Sequence, residues 1–114
     1  MENDTITFED FEKVDIRVGR IVRVEEFPKA RKPAYKLFID FGPLGEKQSS
    51  AQIVDLYKPE ELIGKQVVAV VNFPRKQIAD FMSEVLVLGS LDSKSNGIVL
   101  LRPDKETCIG ARIC

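Results

Sequence analysis

From Val14 the chain alternates: Val14, Ile16 and Val18 point to one side and Asp15 and Arg17 to the other, the period-two signature of a half-buried strand. The alternation breaks at Gly19-Arg20 and resumes with Ile21, Val22 and Val24. A glycine inside a long strand pattern predicts a bulge or sharp bend. Tyr35, Leu37, Ile39 and Phe41 alternate as a second strand, and Lys47 to Ile53 predicts a third, more polar one with Ser49, Ala51 and Ile53 on one face. Pro59 to Gly64 predicts a single helical turn, proline at its first position and glycine past its end. Val67 to Val71 is unbroken apolar and predicts a central strand covered on both faces. Val85 to Leu88, ended by Gly89, is the fifth strand. Residues 27–33 and 73–82 carry prolines and no periodicity and predict loops. Ahead of the first strand, Thr7 and Asp10 have capping-box spacing, and Ile6 and Phe11 have staple spacing. Phe8 and Phe11 share a face of a helix that can run only one or two turns.

Five strands, a long first strand that must bend, and a helical turn between the third and fourth strands predict an all-β fold with minor α content: the five-stranded OB-fold barrel. An SH3-like barrel is the alternative and lacks a helix at that point. Residues 1–114 form a single domain, with the barrel core at about 13–90 and extensions at 1–12 and 91–114. In the second extension Ile98 to Leu101 and Ile109 to Ile113 are strand-like, on either side of a turn at Pro103-Asp104. A hairpin beyond a complete barrel presents an edge that a second copy can satisfy, so the extensions are expected to form a dimer interface. The alternative is that the segment packs back over its own barrel.

Composition removes most chemistry. The 114 residues are 44% apolar and 31% charged, an ordinary globular balance. Histidine is absent, which excludes Ser-His, Cys-His and His-ligated metal schemes. Two cysteines, Cys108 and Cys114, are too few for a structural zinc site and are expected to be reduced. There is no Gly-rich phosphate loop and no calcium-loop spacing. Ser83 with Lys76 is the one nucleophile–base pairing left, and no pattern supports it. The expectation is no enzyme, no cofactor and no metal. The longest apolar stretch is far short of the ~20 residues of a membrane helix, so no membrane insertion is expected. The first ten residues are acidic and lack an apolar h-region, which points to a cytoplasmic protein.

Net charge is only −1, but it is segmented: Glu2, Asp4, Glu9, Asp10 and Glu12 open the chain, while Lys29, Arg31, Lys32 and Lys36 cluster without an acid. OB-folds bind ligands across the strand 2–3 face, flanked by the strand 1–2 and 4–5 loops. Those loops, residues 27–35 and 73–82, both set bases beside rings. One chemistry is RNA, with cations on phosphates and rings on bases, using Lys36, Asn72, Arg75, Lys76, Ser83 and Glu84. The other is extended polypeptide in a groove of Phe27, Tyr35, Phe73, Phe81 and Met82, rimmed by Arg31, Lys32, Arg75 and Lys76. The polar run Lys47 to Ile53 is expected to leave a hydrogen-bonding face open to a ligand or a partner subunit, or to be an exposed edge kept polar against aggregation.

Phe11 to Val24 (FEKVDIRVGRIVRV), Leu37 to Gly42 (LFIDFG), Lys47 to Ile53 (KQSSAQI), Tyr57 to Gly64 (YKPEELIG), Val67 to Pro74 (VVAVVNFP) and Phe81 to Gly89 (FMSEVLVLG) together resemble the CsaA family, from about residue 8 to residue 113. That family is similar to the wider group of tRNA-binding domains. The resemblance implies a homodimeric cytoplasmic chaperone that binds unfolded or precursor polypeptides in protein export, with the export machinery as a further contact and tRNA as the alternative partner. Asn72, Arg75, Ser83 and Glu84 match the tRNA-binding pattern. Val85-Leu86 stands where tRNA binders typically have glycine-methionine, and Phe27-Pro28 where they tend to have histidine-proline. Both departures make the site more apolar and favour the chaperone branch.

Overall fold

The computed structural model describes residues 4–114; the first three residues of the N-terminal extension lie outside the described residues. Five strands form one sheet: β1 (Ile16–Glu26), β2 (Tyr35–Asp40), β3 (Glu46–Ala51), β4 (Gln66–Val70) and, closing the far side, a two-residue strand at Leu86–Val87. Their order is β3, β2, β1, β4, then the Leu86–Val87 strand, all antiparallel. A helical turn α2 (Pro59–Leu62) sits between β3 and β4, and the whole is the five-stranded OB-fold barrel.

Two features set the shape of β1. It pairs with β4 through Ile16–Arg20 and with β2 through Arg20–Glu26, changing partner at Arg20. The register slips between Ile21 and Arg23, so the bulge lies just past the glycine. Gly19 has a different task. A Cβ there would lie 2.5 Å from the Ile39 side chain and 2.7 Å from the Phe41 ring, so the missing side chain lets the sheet wall close onto the core. Ile21, Leu37, Ile39, Phe41, Leu62 and Val67 fill that core. Every residue of β4 is buried, as expected of a strand covered on both faces.

Three elements depart from or refine the expectation. Residues 73–82 are not all loop: β5 (Lys76–Ile78) and β6 (Phe81–Ser83) form a hairpin around Ala79-Asp80. Its strands are three residues long, too short for an alternation count to register. The Leu86–Val87 strand is then β7. β8 (Gly89–Asp92) and β9 (Gly97–Leu100) form a second hairpin. The strand-like end at 109–113 does not extend it but turns back onto its own β1. The Gly110 N–H donates to the Val18 carbonyl, the Val18 N–H to Ala111 and the Ile113 N–H to Ile16. The buried Gln66 side chain fastens this return, donating to the Thr107 carbonyl at 2.6 Å and accepting from its N–H at 3.1 Å.

The short N-terminal helix α1 (Phe8–Glu12) starts at Thr7 with a closed capping box: the Asp10 N–H donates to the Thr7 hydroxyl and the Thr7 N–H to the Asp10 carboxylate. Phe8 and Phe11 lie ring to ring at 6.3 Å, while Ile6 stays largely exposed.

The polar strand β3 is the barrel's closing edge. The Glu84 N–H donates to the Gln48 carbonyl, and the buried Ser49 hydroxyl donates to the Val85 carbonyl at 2.9 Å. The Gln48 N–H donates to the Glu84 carboxylate and the Ser50 N–H to the Ser83 hydroxyl. Gln48, Ser49 and the Ser50 N–H, in the run expected to stay open to a ligand or partner, are therefore engaged in this seam. Here the Ser49 and Ser83 hydroxyls supply hydrogen bonds alongside the main-chain bond from Glu84 to Gln48.

Gly19→Ala should destabilise the barrel by about 1–3 kcal/mol, the usual range for overpacking. Urea denaturation followed by circular dichroism checks this; an unchanged midpoint would show that Ile39 and Phe41 yield freely.

Candidate functional site

The two loops expected to flank a site do converge. Lys29, in the loop after β1, reaches Asp80 at the tip of the β5–β6 hairpin, Nζ to carboxylate 3.0 Å. This bond holds the Asp80 carboxyl below its ordinary value. Between the loops lies a groove of about 870 Å³. Arg31 and Lys32 line one side and Lys76 the other, with Ala30, Ala34, Ile78 and Ala79 as apolar surface and Ser50, Gln52 and Gln77 as neutral polar groups. Among the described residues no carboxylate lines it. A second open cavity of about 430 Å³ adjoins the same loop, between Glu26, Phe27, Pro33 and Val54.

The rings are elsewhere. Phe27, Tyr35 and Phe81 are buried, at 4%, 7% and 6% exposure. Phe27 and Phe81 join Ala34 and Phe38 in a small apolar cluster on the outer face of β2, opposite to Leu37 and Ile39. Phe81 packs edge-on against both Phe27 (5.5 Å) and Phe38 (6.2 Å). Hence the strand 2–3 face is already covered by the molecule's own loop and hairpin. Cations cap the cluster: Lys36 Nζ lies 4.8 Å from the Phe27 ring and 5.2 Å from Phe81, and the Arg23 guanidinium 3.7 Å from Phe38. Tyr35 donates its hydroxyl to the Tyr57 carbonyl at 2.8 Å. Burial, then the nearby Glu26, Glu60 and Glu61, pushes its pKa up, so it stays a neutral donor.

Of the other expected residues, Phe73 and Met82 are exposed but do not line the groove. Asn72 is a strut: its Oδ1 accepts from the Asp15 N–H and its Nδ2 donates to the Lys13 carbonyl. Ser83 and Glu84 hold β3, and Arg75 stands 3.5 Å from the Glu84 carboxylate. Arg31, Lys32 and Lys76 are thus the expected residues that the fold gathers in the groove. Ser50 and Gln52, from the polar run expected to face a ligand, also line the groove, whereas Gln77 and Ile78 come from a segment expected to be loop and were not among the expected site residues. The hairpin that carries both was the signal that could have found them.

Among the described residues no helix is long and apolar enough to cross a membrane, and no group of three or more His, Cys, Asp or Glu is placed to hold a metal ion.

The family model for a putative tRNA binding domain matches residues 16–112. The crystal structure of chaperone CsaA from Bacillus anthracis str. Ames shares 54% sequence identity, covering 96% of this chain and 99% of that one with a TM-score of 0.90. That of the CsaA chaperone protein from Picrophilus torridus also shares 54%, covering 96% and 100% with a TM-score of 0.89. The methionine–tRNA ligase of Methanococcoides burtonii is 41% identical over 110 residues, 96% of this chain but 16% of the ligase. The chain spans 14–17% of the length of the curated relatives it matches.

Two outcomes follow from the placement of the rings and of Asp80. Phe81→Ala should destabilise the fold by about 3–5 kcal/mol, whereas Phe73→Ala should change stability by less than about 0.5 kcal/mol. Urea denaturation separates them, and equal costs would contradict the burial difference. The Asp80 carboxyl should titrate below 3.8 in the native chain and return towards it in Lys29→Ala. Since the folded value is depressed, the tie is complete above 3.8 and is lost as pH falls through the lower value. Carbon-detected NMR titration of Asp80 gives both midpoints, and coincident midpoints would refute the tie.

Proposed function

The chain belongs to the CsaA family, within the putative tRNA-binding domain family, and from that premise we propose that it is a non-catalytic chaperone that holds unfolded or precursor polypeptide in the groove between the β1–β2 loop and the β5–β6 hairpin. One observation carries the reading: the groove combines an apolar wall with the cations Arg31, Lys32 and Lys76 and uncharged polar groups, and it offers no exposed ring for a base to stack on. Extended polypeptide needs apolar contact, main-chain hydrogen bonds and room, and the groove offers all three. Nucleobase recognition needs exposed aromatic faces, and Phe27, Tyr35 and Phe81 are committed to the interior. The 54% identity, over nearly the full length of both chains, to two proteins described as CsaA chaperones supports the same assignment.

Broad, modest affinity follows, because a few buried side chains must offset the ordering of a flexible client. We place the protein in the cytoplasm, in the service of protein export, and as a homodimer built through the C-terminal extension. Leu91, Val99 and Leu101 are large apolar residues exposed at and just beyond the β8–β9 hairpin, which supports a second copy there. Sedimentation equilibrium should give twice the mass of one chain. A single-chain mass at micromolar concentration would refute the dimer.

tRNA is the second reading, favoured by the family model and by a groove lined with cations and no carboxylate. Salt separates the two. Binding of tRNA through three phosphate contacts should lose affinity with a log–log salt slope of about −2 to −3. Capture of a reduced, carboxymethylated polypeptide that cannot fold should be less salt-sensitive and should weaken when Ile78 is replaced by Ser. Tight, salt-sensitive tRNA binding with no polypeptide capture would overturn the chaperone assignment.

A further inference from the structure

We propose that the free edge of β5 is a strand-acceptor site, and that its occupant is an extended, acidic polypeptide segment that adds to it as one more antiparallel or parallel strand. The proposal rests on the polypeptide reading of the groove and deepens it, naming both the mode of binding and the class of client.

The hairpin belongs to neither neighbouring sheet: β5 and β6 form a two-stranded sheet by themselves. Their outer edges differ. The edge of β6 is engaged by β3, with the Met82 carbonyl accepting from the Gln48 side chain at 2.8 Å and the Ser83 hydroxyl accepting from the Ser50 N–H. Among the described residues the edge of β5 carries no hydrogen bond to another segment. Register identifies which groups it offers. Ile78 and Phe81 flank a two-residue turn and exchange hydrogen bonds across it, so Gln77 and Met82, the next pair, point their main-chain groups outwards. The outward Met82 carbonyl agrees, since it is the one that Gln48 reaches. Its counterpart is Gln77, whose main-chain N–H and C=O face away from β6.

That edge is one wall of the groove: Lys76, Gln77, Ile78 and Ala79 line it, and Ala30 to Ala34 stand across from it. An added strand would find main-chain partners at Gln77, small side chains opposite, and Arg31, Lys32 and Lys76 around it. With no carboxylate in the lining, the field favours Asp and Glu side chains on the client and opposes Lys and Arg. Strand addition reads the main chain and so tolerates varied sequences, which suits a holder of many clients; the charge then selects among them.

The test uses fluorescein-labelled octapeptides and anisotropy with the whole chain. A peptide of alternating glutamate and threonine should bind about tenfold more tightly at low salt than its lysine–threonine counterpart. The same acidic peptide with alternate main-chain nitrogens methylated, so that one edge cannot donate, should bind about five- to tenfold more weakly. Arg31→Glu combined with Lys76→Glu, both on exposed side chains, should invert the charge preference. In a protein that still captures the carboxymethylated polypeptide, no effect of methylation would overturn strand addition and equal binding of acidic and basic peptides would overturn the acidic client, each leaving the chaperone reading intact. Failure of every polypeptide, with tRNA bound, would overturn both.

Discussion

The fold depends on one strand making three different pairings. β1 gives its first half to β4, its second half to β2, and the edge left free beside Ile16 and Val18 to the returning C-terminal segment. A strand can do this only if it bends, and only if its concave side is thin enough for the neighbouring wall to come close. The bulge around Val22 supplies the bend and Gly19 the thinness, with Ile39 and Phe41 filling the volume a side chain would take. The barrel core, the C-terminal return and the positions of both site loops all follow from that geometry.

Closing the barrel is a separate problem, solved with side chains. Between β3 and residues 83–85 there is one main-chain bond, from Glu84 to Gln48, and around it Ser49, Ser83 and the Glu84 carboxylate complete the seam. This is why residues that look available for a ligand are not. Asn72, Ser83 and Glu84 are polar and were expected at the site, yet each is already satisfied by a neighbour. For the half-buried Ser83 and Glu84, breaking such bonds to bind a ligand would leave groups unpaired, at about 1–3 kcal/mol each.

The aromatic residues follow the same logic. The face that OB-folds commonly offer to ligands is covered here by Phe27, Phe38 and Phe81, with Lys36 and Arg23 capping the rings. The cluster pins the first loop to the hairpin and so fixes the groove beside it. Affiliation with the CsaA chaperones and likeness to a small part of methionine–tRNA ligases describe one scaffold. On that scaffold Phe27, Phe38 and Phe81 serve structure, and the cations of the groove and a free strand edge face outwards.

Local pattern alone determined the five barrel strands, the helical turn between β3 and β4, the capping box of α1 and the burial of β4, because periodicity and capping are properties of neighbouring residues. It also determined that Arg31, Lys32 and Lys76 would be charged groups on site-flanking loops. What it could not decide was anything set by residues far apart in the chain. Whether Phe27 and Phe81 face a ligand or each other depends on a contact spanning more than fifty residues. Whether Ser49 and Ser83 are open or bonded depends on how the barrel closes, and whether residues 109–113 reach outwards or return depends on the edge β1 leaves free. Those choices belong to tertiary structure, since a hydrogen bond or an apolar contact is satisfied by whichever partner folding brings within reach.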